Sequence, residues 1–306
     1  MQFFGKKPNV NWLKHKKLAY AFSSALLLLT VALLAAMGGL RYGIDFAGGT
    51  LIQVKFKEAH SINEVRSVVE AAGYSGDMQQ FGTPEDVLIN IHPKNEQTEE
   101  ASKKVVTALE AKYGAGSLTV QRTETVGPKV GKDLTWKALL SVLWALVGIL
   151  IYLAFRFESR FATTAVLALM HDTVITIGAL CLFGKEFSLP VLAAILTVIG
   201  YSLNDTIVVF DRIRENLRLK RSLELPALVN DAVNETLSRT IITSGLTLLT
   251  VIALFLFGGP VLHDFSFTLL VGIGFGTYSS VFVASALLID WPGNTTQKLS
   301  LSIRSK

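Results

Sequence analysis

The sequence predicts a polytopic α-helical membrane protein with one small α+β domain outside the bilayer, and three observations carry that prediction. Half of the 306 residues are hydrophobic and only 17% are charged, a balance foreign to soluble chains of this length. Six apolar runs each approach the roughly 20 residues needed to cross a bilayer. Between the first two runs lies a stretch, residues 41–132, with the polar content and mixed periodicity of an ordinary soluble domain.

Residues 1–17 form a basic segment carrying Lys6, Lys7, Lys14, Lys16 and Lys17 and no acid, which predicts a cytoplasmic N-terminus. The first span covers residues 18–40. Its apolar run exceeds the roughly 7–15 residues of a cleavable signal core, so it reads as a retained anchor. Within 41–132, residues 52–56 (IQVKF) alternate as a strand does, and 62–72 place Ile62, Val65, Val69 and Ala72 at helical spacing. Residues 78–81 and 87–91 read as short strands. Residues 99–113 read as a second helix, with a stripe through Val105, Val106, Ala108 and Leu109, and 118–125 alternate again. The order βαββαβ is the ferredoxin-like pattern, with both helices on one face of the sheet.

The later spans fall at 136–155, 161–183, 189–210, 240–257 and 265–289. Arg156 and Arg160 follow the second span; Arg212, Arg214, Arg218, Lys220 and Arg221 follow the fourth; the tail, 290–306, carries Lys298, Arg304 and Lys306. Connections 184–188 and 258–264 hold few charges. The bias places both termini and the even-numbered connections in the cytoplasm, and 41–132 outside. It also accounts for the net charge of +5 and the pI near 9.2 without any nucleic-acid partner, because the excess base sits beside spans. In the connector 211–239, residues 222–238 interleave Leu223, Leu225, Leu228, Val229 and Val233 with Glu224, Asn230, Asp231 and Glu235. That pattern predicts a helix lying on the cytoplasmic interface, a plain polar connector being the alternative. Cys181 is the single cysteine, so no intrachain disulfide forms.

The chemistry concentrates in the spans. Asp205 lies roughly 20 Å along a helix from Pro190, deep in the apolar run. Ionisable residues at that depth are costly and usually line a water-filled path or face a bundle interior. Ser202, Asp205, Thr206 and Val209 share one helical face, and Arg239, Thr243 and Thr247 follow each other by single turns on the next span. A carboxylate, a guanidinium and hydroxyls are therefore expected to converge as a proton relay. Two readings compete with it: a static buried ion pair that holds the two helices in register, and an Arg239 that merely snorkels to the inner interface. His171 and Asp172 sit mid-span as well, and histidine shuttles protons near neutrality. Adjacent helical residues diverge by about 100°, so the two are not expected to face one another.

No zinc site is implied, since no second histidine stands at ligand spacing. Residues 127–133, GPKVGKD, are one residue short of a phosphate-binding loop. No Ser–His–Asp or Cys–His constellation occurs, so neither enzyme chemistry nor a cofactor is expected. Gly272, Gly274 and Gly276 lie within an apolar span, where Gly272 and Gly276 suit close helix contact.

Five segments carry a resemblance: YGIDFAGGT (42–50), VGPKVGKDL (126–134), ALMHDTVITIG (168–178), GYSLNDTIVVFDRIREN (200–216) and NETLSRTIITS (234–244). In order and over nearly the whole chain, they resemble the SecF members of the SecD/SecF protein-export family, within the RND superfamily. The resemblance implies half of an RND-like bundle with a small periplasmic domain, set in the bacterial inner membrane. It implies a separate SecD chain of matching layout as partner. It further implies use of the proton-motive force to assist export of unfolded preprotein through SecYEG, with YajC in many bacteria. The family's proton-conducting Asp and Arg fall on Asp205 and Arg239, and its signature on Gly43, Asp45, Gly48 and Gly49. The glycines within residues 38–49 make that segment a reasonable hinge region for a movement driven by protons. A further relay acid is expected on SecD. Two other functions stay open at this point: an RND-type exporter half for lipids or small molecules, and a non-conducting scaffold.

Overall fold

The computed structural model describes residues 8–91, 98–220 and 222–291. Lys6, Lys7, Arg221, Lys298, Arg304, Lys306 and the tail from 292 onward lie outside the described residues. A 3₁₀ turn, Trp12–His15, leads into α1 (Lys16–Met37) and a short turn of helix, α2 (Ile44–Ala47). There follow β1 (Gly49–Phe56), α3 (Ile62–Ala71), β2 (Gly76–Phe81), β3 (Thr83–Ile91), α4 (Thr98–Tyr113) and β4 (Leu118–Val126). Then come α5 (Pro128–Arg156), α6 (Ser159–Leu182), α7 (Leu189–Leu219), α8 (Leu225–Phe257), α9 (Gly259–Ser279), a π-helical segment (Ser280–Ala284) and α10 (Ser285–Asp290). Among the described residues six helices are long and apolar enough to cross a membrane: Trp12–Met37, Lys129–Arg156, Ser159–Leu182, Leu189–Leu219, Leu225–Phe257 and Val261–Asp290. The chain divides into two compact units, one of Tyr42–Ser141 with Glu186–Leu189, the other holding the remaining residues.

In the smaller unit the strands run β2-β3-β1-β4, every neighbouring pair antiparallel. Period-2 alternation sends Ile52, Val54 and Phe56 of β1 and Val87, Ile89 and Ile91 of β3 to one face. Val65 and Val69 of α3 and Val105 and Leu109 of α4 close over them. Each such side chain contributes about 1.5–3 kcal/mol on full burial, which makes this a self-sufficient core.

The signature before β1 has a structural reason. Gly48 and Gly49 adopt φ of 73° and 140°, a reversal only glycine enters freely, and it swings the chain from α2 into β1. The Gly43 N–H donates to the Phe187 carbonyl at 3.0 Å, and the rings of Tyr42, Phe46 and Phe187 pack together. Asp45 Oδ2 accepts the N–H of Leu189, first residue of α7, at 2.9 Å. A carboxylate there satisfies an orphan donor and complements the helix dipole. Gly131 of α5 presses on the same loop, and a Cβ there would come within 2.9 Å of the Phe46 carbonyl. Two motifs far apart in sequence thus meet at one turn.

In the larger unit, 56% of the most apolar window of α6, of α7 and of the Val261–Asp290 helix is buried, against 17%, 11% and 17% for the Trp12–Met37, Lys129–Arg156 and Leu225–Phe257 helices. The first three therefore form the interior. Where α1 crosses α6, the Thr30 side chain occupies the space a Cβ on Gly178 would take.

The interfacial helix expected over 222–238 is not a separate element. It forms the first half of α8, continuous to Phe257, because Leu225, Leu228, Val229, Ala232 and Val233 are buried rather than laid on a surface. Likewise α7 runs on to Leu219. The two extensions are clasped: Glu235 accepts from Arg212 Nε at 2.5 Å, Asn216 at 2.9 Å and Lys220 at 2.9 Å, and Lys220 also binds Asp231. Asp231 and Glu235 hold the Lys220 ammonium above its ordinary range. The clasp's contribution is thus complete at neutral pH and is lost only as pH rises through that elevated value. The expected span 265–289 lies within the last helix, interrupted by the π segment, where Ser285 Oγ donates to the Ser280 carbonyl at 3.0 Å.

Replacing Asp45 with alanine removes the cap on α7. We expect a loss of about 1 kcal/mol and a fall of about 2–4 °C in the thermal midpoint of the purified protein. Asp45→Asn, whose amide oxygen still accepts, loses less. An unchanged midpoint in Asp45→Ala contradicts the capping role.

Candidate functional site

Helices α6 to α9 each contribute buried polar side chains to the larger unit, and the spacing of residues on α7 organises them. Ser202 and Asp205 are one turn apart on the same face, both almost fully buried. On one side Asp205 Oδ2 accepts from Ser244 Oγ of α8 at 3.1 Å, and Thr277 Oγ1 of α9 lies 2.9 Å from that serine oxygen. Thr277 also lies 2.8 Å from the Ile273 carbonyl. Its single proton serves one acceptor at a time, so the hydroxyl chain has two arrangements. On the other side Ser202 donates to Asp172 Oδ2 of α6.

Asp172 is completely buried, and its Oδ1 lies 2.8 Å from His171 Nδ1. This corrects the expectation that the two neighbours cannot face each other. The 100° offset separates their Cβ directions, but rotation about χ1 and χ2 brings the ring and the carboxylate together. Among the described residues His171 Nε2 is buried without a hydrogen-bond partner, and the buried Ser279 hydroxyl adjoins Asp172. Gly276 of α9 permits the close approach of α9 to α7: a Cβ there would lie 3.0 Å from Ser202 Cβ. Gly272, one turn earlier, lies against Val198 of the same helix.

Arg239 and Thr243 lie outside this constellation. Arg239 is exposed on α8, five residues before Ser244 and so about 7.5 Å along the helix axis from Asp205's serine partner. It stays within electrostatic reach of Asp205 and forms no ion pair with it. The physical reason is desolvation: a guanidinium drawn into the interior loses hydration that a single carboxylate does not repay. Thr243 turns its hydroxyl to the Arg239 carbonyl at 2.9 Å, a helix-internal bond. The hydroxyl bonded to Asp205 is therefore that of Ser244, with Thr277 behind it. The signal that points to this pair is small hydroxyl residues recurring inside apolar spans, where a hydroxyl bonds either a carbonyl of its own helix or a polar group on a neighbouring one.

No group of three or more metal-ligating side chains occurs among the described residues. The arrangement can hold and pass a proton between a buried carboxylate, the buried Ser244 hydroxyl and the half-buried Thr277 hydroxyl.

The family model described as SecD/SecF protein export membrane protein, C-terminal, matches residues 105–294, and the SecD/SecF GG motif matches residues 36–59. A protein translocase subunit SecF from Desulfurispirillum indicum is 48% identical over 281 residues, covering 89% of each chain. Another from Magnetococcus marinus is 48% identical over 306 residues, covering 98% of this chain and 97% of that one. The crystal structure of SecDF, a translocon-associated membrane protein from Thermus thermophilus, superposes with a TM-score of 0.85 at 38% identity. The match covers 95% of this chain and spans 40% of the SecDF chain's length. The motif around Gly43–Gly49, the helical unit and these relatives agree, and the chain belongs to the SecD/SecF family of protein export membrane proteins, on its SecF branch.

Proposed function

We propose that the chain acts with a SecD partner as a proton-driven auxiliary subunit of the Sec translocase, assisting export of unfolded preprotein through SecYEG, with YajC as a further associate. The observation that carries this reading is Asp205, buried in a helix long enough to span the membrane and bonded to the Ser244 hydroxyl instead of to a cation. A carboxylate in that setting is costly as an anion and comfortable as a neutral acid, so it responds to proton supply. Asp205 takes up the proton, Ser244 and Thr277 relay it by exchanging donor roles, and Asp172 with His171 offers a second buried acceptor joined to α7 through Ser202. Arg239 acts from the helix surface by its field alone. A charge crossing 100 mV gains about 2.3 kcal/mol, and one pH unit adds roughly 1.4 kcal/mol. Each proton thus supplies a few kcal/mol, enough to bias a two-state movement.

The same reading places the chain in the bacterial inner membrane with both termini cytoplasmic and the smaller unit periplasmic, as the basic connections favour. The helical unit then forms half of an RND-like bundle. We read the smaller unit as ferredoxin-like, a reading its strand order β2-β3-β1-β4 and one-sided helices support. It offers a surface for partner or preprotein, not catalysis.

Orientation is checked by single cysteines at Lys103 and Arg218, both in a Cys181→Ser background. In sealed cells an impermeant thiol reagent should label the first and not the second. Labelling of both from outside contradicts the arrangement.

The relay is checked by preprotein translocation into inverted vesicles with and without an uncoupler, alongside the amount of assembled complex. Asp205→Asn should assemble normally and lose the uncoupler-sensitive part of export. Ser244→Ala strands the carboxylate at a cost of about 1–3 kcal/mol and should slow that part severalfold. Arg239→Lys, which keeps the charge, should retain most of it. An Asp205→Asn complex with full uncoupler-sensitive export refutes the relay.

A further inference from the structure

We propose that a cavity beside the N-terminal end of α1 binds an anionic phospholipid, its acyl chain inside and its headgroup over Lys14, His15 and Lys17. The cavity measures about 540 Å³, within the range of small-molecule sites. Its lining is almost wholly apolar: Trp12, Leu18 and Phe22 from the N-terminal turn and α1 face Tyr278 and Phe282 of the last helix, with His15 at the edge.

The walls are held in place before any ligand arrives. Trp12 Nε1 donates to Asn234 Oδ1 at 3.1 Å, and the indole meets the edge of Phe282 at 5.5 Å between centroids. Phe282 stacks on Tyr278 at 5.3 Å, and Tyr278 meets Phe22 at 5.8 Å. The Tyr278 hydroxyl donates to the Ala19 carbonyl at 3.1 Å. Phe282 belongs to the π segment, and a π turn shifts the side chains that follow it relative to a straight helix, a device that recurs at functional sites.

The occupant follows from the solvent and the charges. Leu18 is 69% exposed and Phe22 48% exposed on a helix apolar enough to span a membrane, so the cavity opens where hydrocarbon is the available solvent. His15 is the basic residue of its lining, and the sequence around His15 is also basic. No acid precedes Asp45 in the sequence, and Lys14 and Lys17 project exposed on either side of His15. The acid nearby, Asp290, is already engaged by Lys16 at 2.6 Å and Tyr20 at 3.1 Å. A phosphate-bearing headgroup answers the two remaining lysines, as basic clusters at the ends of spans do elsewhere. The orientation proposed above decides only which leaflet supplies the lipid; the binding does not depend on it.

The test is native mass spectrometry of the full chain in detergent, titrated with phosphatidylglycerol and phosphatidylcholine of identical acyl chains. The wild-type chain should retain phosphatidylglycerol preferentially, and each of Lys14→Gln and Lys17→Gln should weaken that preference roughly fivefold while leaving phosphatidylcholine binding unchanged. Leu18→Trp fills the cavity from an exposed position and should remove both lipids with the melting profile intact. Equal retention of the two lipids by wild type overturns the proposal, as does undiminished phosphatidylglycerol retention in Leu18→Trp. Loss of the adduct when the chain is co-purified with SecD assigns the cavity to a polypeptide and overturns it too. Export activity is not read in this experiment, so its failure leaves the relay untouched.

Discussion

The price of a charge away from water is the constraint on which the helical unit depends. Asp205 and Asp172 are acids with almost no exposure, and neither is neutralised by a lysine or arginine. Hydroxyls and one imidazole surround them instead. A guanidinium would fix the carboxylate as an anion, whereas hydroxyls accept it in either state, because a serine can donate to a carboxylate or accept from a carboxylic acid. The packing serves the same end. Gly276 lets α9 close on α7 beside Ser202, and that closeness accompanies the reach from Thr277 to Ser244 and from Ser244 to Asp205.

Helix α7 has a second attachment. Its first residue is capped by Asp45, and the same helix carries Ser202 and Asp205 some turns later. Asp45 sits in a turn shaped by Gly48 and Gly49 and pressed by Gly131. A movement of the turn that released Leu189 would leave an uncapped helix end and a less favourable dipole environment, a penalty of about 1 kcal/mol.

Much of this was legible in the residues themselves. Apolar runs of bilayer length announced the six long helices, and the switch from period 2 to period 3.6 within 41–132 announced strands and helices of the small unit. Asp205 stood out as an acid deep within an apolar run of bilayer length. What stayed hidden was tertiary. The partner of Asp205 depends on which hydroxyl of α8 faces it; spacing alone favoured Arg239 and Thr243, whereas Ser244 points inward. The His171–Asp172 contact depends on rotamers, which helical geometry leaves free. The amphipathic pattern over 222–238 is the same whether its apolar stripe rests on a membrane surface or packs as part of a longer helix, and only burial of Leu228, Ala232 and Val233 distinguishes them. The π segment has no sequence signal, since its residues are as apolar and small as the rest of the span.

A relay through Asp205 requires this acid to change protonation inside the membrane while bonded to Ser244. Infrared difference spectroscopy of the complex with SecD in proteoliposomes, with an imposed proton gradient against none, tests it most directly. Such a relay gives a protonated-carboxyl band that responds to the gradient, shifts in Ser244→Ala as its hydrogen bond is lost, and vanishes in Asp205→Asn. A band that persists unchanged in Asp205→Asn, or no gradient-dependent carboxyl signal in the wild-type complex, would contradict it.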